Sequence, residues 1–345
     1  MTTTPQVEAP RCKADIIAFV QGADPVLVTD VLADMPPSFY VVGAPRCGTT
    51  ALSKALAGNP HISFSKPKET HFFMEDRSAL AIEDVRRLYL ERFHPNLARD
   101  SQAIGDGSVS YLYEPDAIRR ALAFDSRAKF IASVRNPVDM LRSYHARLLF
   151  SLDEDVKDFS QAWALQGERR AGRSIPKRCR LPELLQYGEV GSLGSHVERL
   201  FETAGRERCH VVVFDDFIKD SRRVYEQLLE FIGVDDDGRR EFKSKRGNAG
   251  YKSHMLQQFV MNPPSWAYRL IQLSNAKTFS QLKGLRKRIK KFNKATEKEQ
   301  ELSDSMRATL RGYYRADVEK LSHLLGRDLM YWVAEPKNEE NGGGP

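Results

Sequence analysis

The sequence predicts an α/β fold built on a mostly parallel sheet flanked by helices. Phe39–Val42, Lys129–Val134 and His210–Phe214 are short apolar runs without polar alternation, as in strands buried on both faces. Each run leads into a turn and then into helical spacing, the order of an α/β unit. An apolar content of 41% over 345 residues supplies a sizeable core, as one large domain with insertions or as two small ones.

Residues 1–35 read as an N-terminal helical extension. Ile16, Ile17, Phe19, Val20, Val26, Leu27, Val31 and Leu32 suit one or two short helices outside the sheet, broken near Gly22 and Pro25. The first strand follows Pro36 and Pro37 and runs into Gly43-Ala-Pro-Arg-Cys-Gly48-Thr49-Thr50, after which Ala51, Leu52, Leu56 and Ala57 keep helical spacing. Strand, Gly-bounded loop and helix N-terminus form either a phosphate cradle or an ordinary Gly turn. An ATP-type loop carries Lys after its last Gly; here Thr49 stands there, and the cation is Arg46, inside the loop. Cys47 reads as a small loop residue.

Residues 59–64 suggest a turn and a short strand. Lys66-Pro-Lys68-Glu69-Thr70-His71-Phe72-Phe73 then gathers titratable groups beside two aromatics, as a site or as a solvated turn. Residues 81–98 and Ala117–Ala123 read as helices. Between them, Asp106, Ser108 and Tyr111 either face a ligand or satisfy a turn. The strand ending at Val134 delivers Arg135 to the sheet edge where open α/β sheets bind ligands. Pro137 suits the first turn of the helix Val138–Leu149, and Ser143 lies eight residues after Arg135. Arg135 and Ser143 suit a second phosphate, or Arg135 makes a helix-start salt bridge.

Residues 151–185, with Arg169, Arg170, Arg173, Lys177, Arg178 and Arg180, read as a mobile insertion or lid. Helices are expected around Val197–Phe201 and over Val224–Ile232. Asp215-Asp216, after the third strand, resembles the metal-holding strand of ATPases. Residues 243–254, with Lys245, Arg246 and Gly247, form a basic Gly-rich loop suited to closing over a nucleotide or to solvation. In the basic helical segment 261–298, Phe279, Leu282, Leu285, Ile289 and Phe292 share one helical face, and Lys283, Lys287, Lys290, Lys291 and Lys294 the other. That helix, 279–294, suits contact with an anionic membrane or an acidic carrier protein, or is a basic outer helix. Met306, Leu310, Tyr313, Val318, Leu321 and Leu325 give a last amphipathic helix, ended by Gly326. Residues 336–345 read as a disordered tail.

A net charge of +7 suits a polyanionic ligand without identifying one, and no nucleic-acid partner is expected. The four cysteines, Cys12, Cys47, Cys179 and Cys209, show no CxxC pair or metal spacing and read as free thiols in a reducing compartment. No run reaches the ~18 apolar residues of a membrane span, and the first residues lack a basic-then-apolar leader. The expected location is cytoplasmic.

GAPRCGTT followed by RNPVDMLRS resembles the PAPS-dependent sulfotransferases (PAPS is 3′-phosphoadenosine 5′-phosphosulfate). KPKETHFF is similar to the KExHFF element of the heparan-sulfate-type and related bacterial branch, GNAGYKSH to a nucleotide-side loop, and YYRADVEKLSHLLGRDLMYW to the C-terminal segment. The resemblance implies a single domain over 36–335 with a fold close to P-loop nucleotide kinases. It implies that Arg46, Cys47, Gly48, Thr49 and Thr50 hold the 5′-phosphosulfate, that Arg135 and Ser143 hold the 3′-phosphate, and that Lys245, Arg246 and Gly247 flank the nucleotide. Arg46 stands where many members carry Lys, Cys47 where Ser is frequent, and Asp106 where the heparan type usually carries Glu.

The implied reaction is in-line transfer of a sulfuryl group from PAPS to a hydroxyl or amine of a carbohydrate, lipid or other metabolite. Glu69 is the implied base, with Phe72 and Phe73 as apolar neighbours that strengthen its pull on a proton. Lys68 contacts the transferring group. His71 is an alternative base or a structural residue orienting the loop, and His145 is a further candidate near the sulfuryl group. No metal is required if fixed cations balance the leaving phosphate. The rival is a Mg-ATP-dependent P-loop small-molecule kinase with Asp215 and Asp216 on the metal. A third reading is a non-catalytic protein docked through 279–294.

Overall fold

The computed structural model describes residues 35–242, 249–251, 288, 292, 294–296 and 301–335. The apolar runs are strands: β1 Ser38–Gly43, β4 Lys129–Val134 and β5 Cys209–Val213, joined by β2 Ile62–Phe64 and β3 Ala103–Asp106. They form one parallel sheet in the order β2-β3-β1-β4-β5. In register, Tyr40 lies between Asp106 and Phe130.

Alternation along β1 divides the core in two. Phe39 and Val41 point into one hydrophobic cluster, with α1 (Thr49–Leu56) and residues of the later helices α9 (Phe214–Lys219) and α10 (Ser221–Ile232). Tyr40 and Val42 point into the other, larger cluster. It takes residues from α2 (Ile82–Phe93), α3 (Pro115–Phe124), α4 (Pro137–Ser151), α5 (Phe159–Ala164), α7 (Tyr187–Gly191), α8 (Leu193–Ala204) and α11 (Asp304–Leu325). The short helix α6 spans Gln166–Arg170. β1 and β4 are neighbours whose chains depart to opposite sides, towards β2 and towards β5. That reversal is the topological switch point, and the loops after both strands open there.

Tertiary context changed several expectations. Arg169, expected on a mobile basic lid, is buried. Its guanidinium donates two 2.7 Å hydrogen bonds to Glu154, which also accepts from the Tyr187 hydroxyl at 2.7 Å. Arg170 pairs with Glu189, Arg173 with Glu168, and Arg180 with Asp153. This run of cations is therefore largely balanced by acids from neighbouring turns. In α11, Tyr314 is buried and Tyr313 is exposed, because residues 306, 310, 314, 318 and 321 form the inward stripe. Lys294–Thr296, within the segment expected to be helical, forms an antiparallel pair with Ala249–Tyr251, a long-range pairing that local periodicity does not reveal. Residues 1–34, Lys245, Arg246, Gly247, the tail 336–345 and the 279–294 face apart from Arg288, Phe292 and Lys294 lie outside the described residues. No helix of the described residues is long and apolar enough to cross a membrane.

Candidate active site

The loop after β1 is fastened to β4 by Ala44 N–H donating to the Ser133 carbonyl at 2.9 Å. Arg46 and Gly48 both take left-handed backbone, φ 64° and 82°. Gly48 has no alternative, since a Cβ there would lie 2.5 Å from the Phe214 ring. Its carbonyl accepts from Ala51 and Leu52 and so starts α1. Thr49 and Thr50 follow in the first turn, where backbone N–H groups lack intrahelical acceptors and the dipole favours anions. Thr50 is exposed and Thr49 buried.

Cys47 points away from this surface. Its side chain is fully buried, and burial pushes the thiol up to about 12, despite the opposing charges of Arg135 and Arg46. It offers the cradle backbone only, and its carbonyl accepts a 2.6 Å hydrogen bond from Ser133. Among the described residues, Cys47, Cys179 and Cys209 are unpaired thiols.

Arg46 Nε donates to Ser143 Oγ at 2.8 Å. The residue is placed by the loop after β1 and its partner by the second turn of α4, so one hydrogen bond joins the two motifs. Arg135, at the end of β4, donates to the Arg46 carbonyl at 3.4 Å and lies 4.9 Å from the Phe214 ring centroid. Asn136 caps α4 by accepting from Val138 N–H at 2.9 Å, with Pro137 in the first turn. Three cation-bearing or hydroxyl side chains thus meet over the switch point.

The segment 66–71 lies beside them. Glu69 and His71 adopt left-handed backbone, φ 65° and 51°. Glu69 N–H donates to the Gly107 carbonyl at 3.0 Å, and its carboxylate accepts from Val109 N–H at 2.9 Å and pairs with Lys68. The Lys68 stem passes over Gly107: a Cβ there would sit 3.0 Å from Lys68 Cε and 2.7 Å from Ser53 Oγ of α1. Gly107 therefore lets the Lys68–Glu69 pair approach the helix that carries the first loop.

Asp106 holds this segment from beneath. It is fully buried and accepts from Thr70 Oγ1 at 2.7 Å, Tyr111 OH at 3.1 Å and Ser65 Oγ at 3.2 Å. Burial pushes its carboxyl up, and these hydrogen bonds pull the other way. Asp106, Ser108 and Tyr111 are thus a satisfied turn rather than a ligand face. His71 is exposed; its N–H donates to Ser108 Oγ at 3.1 Å, and its Nδ1 lies 2.8 Å from Ser110 Oγ. Phe72 and Phe73 turn into the core against Tyr89, with Phe73 also against Tyr40, and do not wall in Glu69. His145 is likewise buried, its Nε2 2.9 Å from the Val156 carbonyl, and burial holds its pKa down. It is no candidate for the reacting centre.

Two residues without a sequence assignment belong to this region. Phe214 touches both Gly48 and Arg135. Arg147 follows Ser143 by one helical turn on the same face of α4; burial lowers its pKa, and the charge of Glu69 is among those acting on it. A signal existed for Arg147 in the i, i+4 spacing. None existed for Phe214, whose contacts depend on β5 lying beside β4. Asp215 and Asp216 are engaged elsewhere. Asp215 accepts from Tyr331 OH and Trp332 Nε1, both at 2.9 Å, and Asp216 pairs with Arg327.

A family model described as "Sulfotransferase domain" matches residues 36–257, which include all three segments of the site. The chain is 23% identical over 313 residues to the Homo sapiens bifunctional heparan sulfate N-deacetylase/N-sulfotransferase 3, covering 88% of this chain and 32% of that protein. It is 27% identical over 166 residues to the Mus musculus carbohydrate sulfotransferase 15, covering 36% of this chain and 29% of the relative. The chain spans about a third of the length of these curated relatives. Among solved structures, a sulfotransferase from Alicyclobacillus acidocaldarius superposes with a TM-score of 0.59 at 23% identity, covering 86% of this chain and 99% of the other, a likeness of fold.

Proposed function

The chain belongs to the sulfotransferase domain family, and we propose that it transfers the sulfuryl group of PAPS to a hydroxyl or amine of a glycan or other small acceptor. The observation that carries this reading is the Arg46–Ser143 hydrogen bond across the β1/β4 switch point. It supports one continuous anion site fed by two loops rather than a single phosphate loop. The donor set fits a bisphosphorylated nucleotide: the guanidiniums of Arg46 and Arg135, the Ser143 hydroxyl and the first turn of α1 all favour phosphate oxygens.

In this reading Arg46, Gly48, Thr49 and Thr50 hold the 5′-phosphate, and Arg135 and Ser143 the 3′-phosphate. Glu69 accepts the acceptor's proton as its oxygen or nitrogen forms the new bond to sulfur. The bond from sulfur to the 5′-phosphate oxygen breaks, and that oxygen leaves on 3′,5′-bisphosphoadenosine. Lys68 and Arg46 balance the charge gathering on the leaving oxygen without reorganising. The relatives' names point to glycans, and a glycan acceptor follows for this chain as part of the proposal. The kinase alternative is less favoured, since Asp215 and Asp216 are already held by Tyr331, Trp332 and Arg327.

Calorimetric titration with 3′,5′-bisphosphoadenosine, AMP and ATP, without Mg²⁺ and then with it, tests the reading. Tight binding that needs the 3′-phosphate is expected, with Arg135→Ala weakening it roughly 10- to 100-fold, the range for a charged hydrogen bond. Preference for ATP with Mg²⁺ would overturn the sulfotransferase assignment of this site in favour of a kinase.

A further inference from the structure

We propose that residues 327–332 act as a clamp that sets the geometry of the donor site, with Asp215 and Trp332 as its positioning residues. The inference rests on the donor-site assignment above. Trp332 is buried and makes two contacts that lead to the site from opposite sides. Its indole Nε1 donates to Asp215 at 2.9 Å, and its carbonyl accepts from Asn136 Nδ2 at 3.1 Å. Asp215 follows Phe214, the ring that packs on Gly48 and under Arg135. Asn136 follows Arg135 and caps α4, the helix that carries Ser143. One residue, through its side chain and its backbone carbonyl, therefore ties the loop after β4 to the first turn of α9 at the place where they meet the anion site.

Two further bonds close the clamp. Tyr331 OH donates to the same Asp215 oxygen at 2.9 Å, and Arg327 forms a two-pronged ion pair with Asp216, one prong at 2.9 Å. The segment is presented for this by the end of α11. Gly326 takes left-handed backbone, and Ser322 then accepts from Arg327 N–H on its carbonyl and from Leu329 N–H on its hydroxyl. The Asp-Asp pair that resembles a metal-holding strand is thus an attachment point, and the C-terminal motif ending in Met-Tyr-Trp is what it attaches. The consequence falls on selectivity. Phe214 and Asn136 help to seat Arg135 beside its hydrogen bond to the Arg46 carbonyl, so loosening the clamp costs recognition of the 3′-phosphate more than recognition of the rest of the nucleotide.

The test is the affinity ratio between 3′,5′-bisphosphoadenosine and AMP, measured by calorimetry on the full chain without Mg²⁺. Asp215→Ala is expected to cut that ratio roughly tenfold by unseating the Phe214–Arg135 contact, with AMP binding weakened much less than that of the bisphosphate. Asp215→Asn keeps an acceptor oxygen and is expected to recover most of the ratio. General loosening would weaken both ligands alike and leave the ratio intact. If Asp215→Ala does not fold, Arg327→Ala, which cuts a half-exposed ion pair, reports on the same clamp with the same expected loss of selectivity. A wild-type protein that binds 3′,5′-bisphosphoadenosine, with variants that keep the ratio within twofold, overturns the clamp alone. A wild-type protein that binds neither ligand overturns the donor site and the clamp with it.

Discussion

Lys68–Glu69 and Arg169–Glu154 are both pairs of a basic residue with a glutamate, and the fold leaves them in opposite surroundings. At 66–71, Glu69 keeps a third of its side-chain surface open and takes one backbone hydrogen bond besides its lysine. At 151–187, Glu154 is sealed from solvent and accepts the Arg169 fork, the Tyr187 hydroxyl and the N–H groups of Asp155 and Val156. A partly open carboxylate with unused lone pairs can accept a proton. One whose every lone pair is spent can only hold its surroundings in place. The burial of the partners, and not the residue types, separates the proposed base from the structural ion pair.

The largest expected effect is on catalysis. Glu69→Gln is expected to lower kcat by about 10²–10⁴, the usual worth of a positioned base, while leaving the denaturation midpoint almost unmoved, because an ion pair that reaches solvent contributes ~0–1 kcal/mol and Gln keeps an acceptor oxygen for Val109 N–H. His71→Ala is the control in the same assay. A loss as large as that of Glu69→Gln would transfer the base role to His71; a small loss fits the Ser110 and Ser108 contacts that fix its place in the turn.

Removing the cation on the other side should reverse the pattern. Arg169→Met leaves Glu154 as a buried carboxylate without its charge partner, at a cost of about 3–5 kcal/mol of folding stability. Urea denaturation followed by circular dichroism reads that loss directly. The folded fraction should keep its affinity for 3′,5′-bisphosphoadenosine, and a specific loss of that affinity with normal stability would mean that 151–187 reaches the donor site after all.

The smallest effect is in pH. Burial pushes the Glu154 carboxyl up, but the hydrogen bonds from Arg169, Val156 and Tyr187 outweigh it and hold the group below its ordinary value of 4.5. In the unfolded chain the group takes its proton at the ordinary value, and in the folded chain only at lower pH. Its stabilisation is thus present above that value and fades as pH falls through the folded pKa. The stability gap between the wild type and Glu154→Gln should accordingly narrow on acidification below 4.5. A gap independent of pH from 3 to 7 would mean that the pair is held by packing alone.

The sequence by itself determined the parallel strands, the two phosphate-suited loops and the family. The reason is that these are local: unbroken apolar runs, a Gly-bounded turn before a helix, and Arg and Ser eight residues apart all lie within short windows. The dense titratable patch around Lys68 and Glu69 was visible for the same reason, although the aromatics beside it face the core. Tertiary structure alone decided what each charge is for. Arg169 could not be told from Arg170 in a basic run, since its burial depends on Glu154 and Tyr187 arriving from other turns. Asp215 and Asp216 resemble a metal-holding strand, the feature of the rival kinase reading, yet Arg327, Tyr331 and Trp332 rest on them from more than a hundred residues away. Hydrogen-bond capacity is spent by whichever donor the fold brings within 3 Å, and that donor is not written near the acceptor in the chain.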